Sequence, residues 1–303
     1  MNLESIATEL EVSGTSRRQM LKRLGLGAAG LTGLNLLASA AKGQTTDSSS
    51  QDVTVLQFAL NLEYLEAEYY TYATTGRGIE AAGVGTSGQG TPGPTLVKPN
   101  PRVPFSDPDV RDYALEIAQD ERHHVTFIRS ALQSLGVTPA AKPTIDLKNS
   151  WNALAQAAGI GNSFDPFAND VNFLLGAFVF EDVGVTAYHG GATLLFNRTV
   201  LGAAAGILGT EAYHAGIIRE QLYSYHSNQI NSIVQKISNT RDALDGPSDD
   251  DQGIVRNGMA NLVPTDNNGI TFARSVRQVL NIVYFAPGAT SGGFFPNGIN
   301  LPS

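Results

Sequence analysis

Two Glu-x-x-His pairs, Glu121 with His124 and Glu211 with His214, are the side chains of this sequence best placed to do chemistry. On a helix, residues three apart lie on nearly one face, a turn along the axis. A carboxylate and an imidazole so spaced can reach the same metal ion. A lone glutamate in an apolar setting precedes each pair: Glu63 before the first, Glu181 before the second. Glu, Glu-x-x-His, Glu, Glu-x-x-His in that order is the ligand set for two metal ions inside a four-helix bundle. Twelve glutamates and five histidines in 303 residues would give only about 0.2 such pairs by chance.

The surroundings of the two pairs match each other. Laying 116–132 over 206–222 brings Glu121 onto Glu211, His124 onto His214, Ile128 onto Ile218, Arg129 onto Arg219 and Leu132 onto Leu222. The lone glutamates repeat in the same way, with Leu56, Ala59, Glu63 and Tyr70 spaced as Leu174, Ala177, Glu181 and Tyr188. The chain therefore reads as two copies of one helical hairpin, each contributing three ligands.

Four helices must carry these residues. The first is expected from near Asp52 to near Gly76. The second starts at Ser106-Asp107-Pro108, a polar cap with proline in the first turn, and ends at Gly136. The third starts with the same device at Asp165-Pro166 and runs to about His189 or just past the Gly190-Gly191 pair. The fourth runs from near Asn197 to about His226. Each metal-binding glutamate then falls at mid-helix, at one height in the bundle. A Gly/Pro-rich insertion (76–106) separates the first two helices. Residues 137–164 are long enough to recross the bundle, since an extended residue covers about 3.3 Å against 1.5 Å in a helix; a short helix is expected over 150–158. The expected architecture is all-α: a four-helix bundle over 52–228 with one long crossover, and an extension over 229–303. In that extension 228–245 and 270–285 have helical periodicity.

These segments resemble the ferritin-like superfamily. The string "LNLEYLEAEYYTYA" and the tail "FARSVRQVLNIVYFAPGATSGGFFPNG" are similar to ferritin-like domains of exported, desiccation-related proteins. The resemblance implies a centre of two divalent ions, iron or manganese. Glu63 and Glu181 would be terminal ligands, Glu121 and Glu211 bridges, and His124 and His214 caps on one ion each. Four carboxylates balance two divalent ions; without metal they would repel one another and be driven to protonate.

Neighbouring residues need weighing. Glu66 lies one turn from Glu63; the repeat selects Glu63, which leaves Glu66 as an extra ligand or a hydrogen-bond partner, whereas Glu68 reads as solvated. His123 has Asp120 three residues before it, but the second copy has Thr210 and Tyr213 there, so His123 reads as a surface or supporting group. Tyr70 and Tyr188, two turns beyond their glutamates, are placed to hydrogen-bond ligands or to pack in the core. His189 and His226 read as ordinary helix-end residues.

Composition narrows the chemistry further. Cysteine is absent, which excludes disulfides and thiolate ligands and suits iron or manganese better than structural zinc. A net charge of −8 without a Lys/Arg cluster in the body argues against a nucleic-acid partner. Arg17 and Arg18, followed by a Gly/Ala/Leu-rich run and Ala38-Ser39-Ala40, resemble a twin-arginine signal peptide (1–41) with a cleavage site. Residues 42–51 then form a polar linker, and no other stretch is expected to span a membrane. The expected location is the periplasm or the cell exterior. Expected partners are small molecules (oxygen, peroxide or ferrous iron), with the apolar tail suited to the bundle or to a second copy in a homodimer. Oxidant or iron detoxification is the leading expectation; a stress-protective scaffold whose site is empty or merely stabilising is the alternative.

Overall fold

The computed structural model describes residues 46–248 and 250–301. The expected twin-arginine segment and cleavage site and residues 42–45 of the expected linker lie outside the described residues, whereas 46–51 are helical rather than a linker. In chain order the helices are α1 (Thr46–Thr75), α2 (Pro108–Ser134), α3 (Ser150–Ala157), α4 (Asp170–Ala192), α5 (Arg198–Ser224), α6 (Asn228–Asp245) and α7 (Val276–Tyr284). Helices α1 and α2 pack along each other as one hairpin, α4 and α5 as the other.

Caps account for most of the helix boundaries. Asp107 accepts from the backbone N–H groups of Asp109 and Val110 with Pro108 beside it, and Asn197 accepts from those of Thr199 and Val200; both satisfy donors that a helix start leaves unpaired. Three starts differ from the sequence expectation. Helix α1 begins at Thr46 rather than near Asp52, because the Asp52 carboxylate accepts from the N–H groups of Phe196 and Asn197 where α5 begins. Helix α4 begins at Asp170, capped by Asn169 through the N–H of Asn172. Asp165 is instead bonded to Lys98 at 2.5 Å and to the N–H of Phe167. Helix α7 is also shorter than 270–285: the N–H of Arg274 donates to the carbonyl of Thr186 on α4, which holds the preceding residues extended, and Ser275 with Gln278 forms a capping box.

The inner helices are α1 and α4. Almost every residue of α4 from Phe173 to Tyr188 is buried, since the bundle covers one side and α6, α7 and the tail cover the other. An all-round apolar helix is the outcome. Contrary to expectation, α4 is long and apolar enough by composition to cross a membrane, but 83% of its most apolar window is buried within the protein. Helix α1 is closed over by the insertion, the crossover and the tail. Gln57 donates to the carbonyl of Thr138 and accepts from the N–H of Ala140, Tyr64 donates to the carbonyl of Ala140, and Asn61 donates to that of Asn300. Strand β1 (Thr95–Leu96) in the insertion pairs in parallel with β2 (Ile145–Asp146) in the crossover.

Glu68 is buried, which corrects the reading of a solvated residue. It accepts from the N–H of Ile79 and the hydroxyl of Thr95 and lies 3.0 Å from Lys142 Nζ. These partners come from the insertion and crossover, so helical periodicity could not reveal them.

The paired arginines of the repeat hold equivalent attachments. Arg129 donates to Tyr64 and to the carbonyl of Ser87 in the insertion. Arg219 donates to Asp182 and to the carbonyls of Gln252, Gly253 and Asn261 in the extension. Arg241 and Arg274 join the same buried region, bound to Asp182, Asp245 and Asp251 at 2.7–3.0 Å.

Candidate metal centre

Each hairpin brings its lone glutamate and its Glu-x-x-His pair to mid-bundle. Glu63, Glu121, His124 and Glu211 place one ligand atom each within 4.8 Å of one another, and Glu121, Glu181 and His214 do the same. Glu121 belongs to both groups, whereas Glu211 stands with the first. All six residues are buried, His124 being the most exposed at 8%. The two imidazole rings are 6.2 Å apart.

Both histidines turn Nδ1 toward the carboxylates. His124 Nδ1 lies 3.3 Å from Glu63 Oε2 and 3.5 Å from both Glu121 Oε2 and Glu211 Oε1. His214 Nδ1 lies 3.1 Å from Glu121 Oε1 and 3.5 Å from Glu181 Oε2. Ligand atoms that share an ion at about 2.1 Å are separated by roughly 3 Å. The same atoms have no hydrogen-bond partner: Glu63 Oε2, both oxygens of Glu121 and Glu211, Glu181 Oε2 and both Nδ1 atoms are buried and unsatisfied. Buried polar atoms are nearly always paired, so a set of orphans converging on two points fits a pair of cations.

The remaining oxygens are fixed crosswise. Tyr70 of the first copy donates to Glu181 Oε1 of the second, and Tyr188 of the second donates to Glu63 Oε1 of the first. Each terminal glutamate thus presents one oxygen to a tyrosine and the other inward. His214 Nε2 lies 3.3 Å from Asp120 Oδ2, a carboxylate that can fix the tautomer so that Nδ1 is free to bind metal. In the sequence Asp120 stands out only as the residue three before His123, a register shifted by one from the Glu121–His124 pair. The structure leaves His123 exposed on the outer side of α2.

The electrostatics are those of a site built for positive charge. Burial, aided by the Glu121 charge, pushes the Glu63 carboxyl up to about 7 against the opposing pull of His124. Burial and neighbouring carboxylates hold Glu66 and Glu211 well above the usual carboxylate range, and burial also raises Glu181. For Glu121, burial works upward, but the two imidazoles on either side prevail and lower it. Burial opposes the imidazolium forms of His124 and His214, yet the surrounding carboxylates prevail and raise both. A divalent ion entering such a site would compete with protons for these groups.

A cleft runs along the seam between α2 and α5. Its volume is about 400 Å³, it is lined by Tyr113, Glu116, Asp120, Thr210, Tyr213 and others, and His214 lies in its wall. Glycine at 184 keeps the opposite side tight, because a Cβ there would overlap Glu211 Oε2.

Comparison with known proteins agrees with this architecture. A family model described as "Ferritin-like domain" matches residues 51–224. A desiccation-related protein of Craterostigma plantagineum is 30% identical over 253 residues, covering 77% of this chain and 78% of that protein. A ferritin-like catalase of Nesocodon mauritianus is 24% identical over 274 residues, 84% of this chain and 86% of its own. No solved structure matches this chain.

Proposed function

This chain belongs to the ferritin-like domain family, and on that premise we propose that it holds a carboxylate-bridged pair of iron or manganese ions and uses them to remove peroxide or to oxidise ferrous iron. The observation that carries this reading is the shared Glu121 between two groups of buried, unpartnered ligand atoms. Glu63, Glu121, His124 and Glu211 would hold one ion, and Glu121, Glu181 and His214 the other. When bound, such a pair supplies two-electron redox chemistry at adjacent ions.

The chain's own residues do the rest. Tyr70 and Tyr188 orient the terminal carboxylates, and Asp120 orients His214. The α2/α5 cleft admits small molecules while its wall of α2 and α5 side chains keeps larger ones from the centre. The relative named as a catalase supports peroxide as substrate. The paired arginines near the N-terminus support export of the folded protein, and the acidic surface supports small molecules rather than nucleic acid as partners.

The relative named for desiccation supports a second reading, a protective bundle in which metal only stabilises the fold. One preparation separates the two. Protein purified from its native compartment is analysed for metals, then assayed for oxygen release from peroxide and for ferrous oxidation. Two iron or manganese ions per chain with either activity is the expected result. Metal-loaded protein with neither activity, whose melting temperature falls on chelation, would favour the scaffold.

A further inference from the structure

The arginines of the repeat are each bonded to the residue that follows a terminal glutamate. Tyr64 follows Glu63 and Asp182 follows Glu181, at equivalent places in the two copies. Arg129 Nη1 donates to the Tyr64 hydroxyl at 2.5 Å, and Arg219 Nη1 donates to Asp182 Oδ2 at 2.7 Å. In each hairpin, then, the helix with the Glu-x-x-His pair grips its partner helix beside the lone glutamate. The same guanidinium groups tie down the accessory segments. Arg129 does so through the carbonyl of Ser87 in the insertion, and Arg219 through those of Gln252, Gly253 and Asn261 in the extension.

These grips fall on a side of the inner helices that carries no metal ligand. On α4, Phe178, Asp182, Thr186 and Gly190 are spaced by four and form one stripe. Arg241 donates to the carbonyl of Phe178 at 2.6 Å and to Asp182 at 2.9 Å. Arg274 donates to Thr186 Oγ1 at 3.0 Å, and a Cβ on Gly190 would collide with the Arg274 carbonyl. On α1 the equivalent stripe holds Tyr64 and Glu68, the latter bound by Lys142 of the crossover.

Such a grip controls the roll of a helix about its axis. Apolar burial does not fix that roll on α4, which is apolar all round; buried polar contacts that fit in one register do. Side-chain ends lie about 5–6 Å from a helix axis, so a roll of roughly 10° carries a carboxylate about 1 Å. Metal–ligand distances tolerate only about 0.2 Å.

We propose that Arg129 and Arg219 are positioning residues for the metal centre, each fixing the roll of one inner helix so that Glu63 or Glu181 faces the ion on its own side. This rests on the di-metal reading above. It also gives the insertion and the extension a share in the site, since the same two side chains hold them.

The test uses the full-length protein and manganous ion, with free ion counted by its solution EPR signal against a competing chelator. Wild type is expected to bind two ions. Arg129 is only half-buried, so Arg129→Gln should fold, and Tyr64→Phe removes just the hydroxyl at the other end of the bond. Both should weaken manganese binding about tenfold or more. Added to Glu63→Gln, Arg129→Gln should cost little further, because the carboxylate it aims is already gone. Added to Glu181→Gln, it should cost its full factor. Arg219→Gln should show the reverse pairing. Unchanged affinity in Arg129→Gln or in Tyr64→Phe, or the same further loss from Arg129→Gln on both backgrounds, would overturn the proposal even if the fully buried Arg219 site does not tolerate its substitution. Failure of the wild type to bind manganous or ferrous ion would overturn the di-metal reading as well, so the two failures are distinguishable.

Discussion

Removing metal should invert the pH dependence of stability. In the metal-free protein, burial holds the Glu63 carboxyl at about 7 against an ordinary 4.5. A group whose folded-state pKa is raised stabilises the fold fully below its unfolded value, and that contribution is lost as pH rises through the folded value. At 1.36 kcal/mol per pH unit, Glu63 alone is worth about 3 kcal/mol between pH 4.5 and 7. The raised carboxyls of Glu66, Glu181 and Glu211 and the raised imidazoles of His124 and His214 act in the same direction. For a domain of this size, about 3 kcal/mol corresponds to roughly 5–10 °C in melting temperature. Calorimetry in excess chelator should therefore show the melting temperature falling by at least that much from pH 5 to pH 8. Saturating manganous ion takes up the ionised ligands and releases their protons, so the stabilisation it confers should grow over the same interval. Below about pH 4 the metal-free protein should weaken again, because Glu121 and Asp120 are held below the carboxylate range. A chelated protein whose melting temperature is flat or rises between pH 5 and pH 8 would refute the view that these carboxyls form one uncompensated cluster.

Three substitutions extend the reasoning. Asp120→Asn removes the carboxylate beside His214 and should weaken one metal position about 10-fold to 100-fold, measured by chelator competition. Gly184→Ala drives a methyl group into Glu211 Oε2; metal content by elemental analysis should drop, while circular dichroism still shows a helical protein. Arg241→Ala leaves Asp182 and Asp251 short of a buried partner and should cost about 3–5 kcal/mol in urea unfolding, an effect that metal would not rescue.

The clustering of the six side chains was legible because its signal is local. Glu-x-x-His places two donors on one helix face, and the internal repeat supplies the missing glutamates, so Glu63, Glu121, His124, Glu181, Glu211 and His214 could be named before any fold was known. Asp107-Pro108 and Asn197 are likewise local and mark the starts of α2 and α5. What escaped depends on partners far along the chain. Asp120 matters only because α5 brings His214 against it, and Glu68 is buried only because Lys142 and Thr95 arrive from other segments. Asp165-Pro166 has the form of a helix start, yet Lys98 claims Asp165 and α4 starts later, at Asp170. No periodicity announces that Arg219, Arg241 and Arg274 converge with Asp182, Asp245 and Asp251, although the match of Arg219 with Arg129 hinted at a common task.

The crosswise tyrosines carry a consequence for how such a protein is assembled. Tyr70 steadies the glutamate of the second hairpin and Tyr188 that of the first, so neither hairpin owns a finished half of the centre. A chain cut within the crossover would leave two fragments that are each incapable of grasping an ion firmly and become competent only on reunion. On the proposed di-metal reading, ion capture would report hairpin docking, and any drift in one repeat would have to be answered in the other.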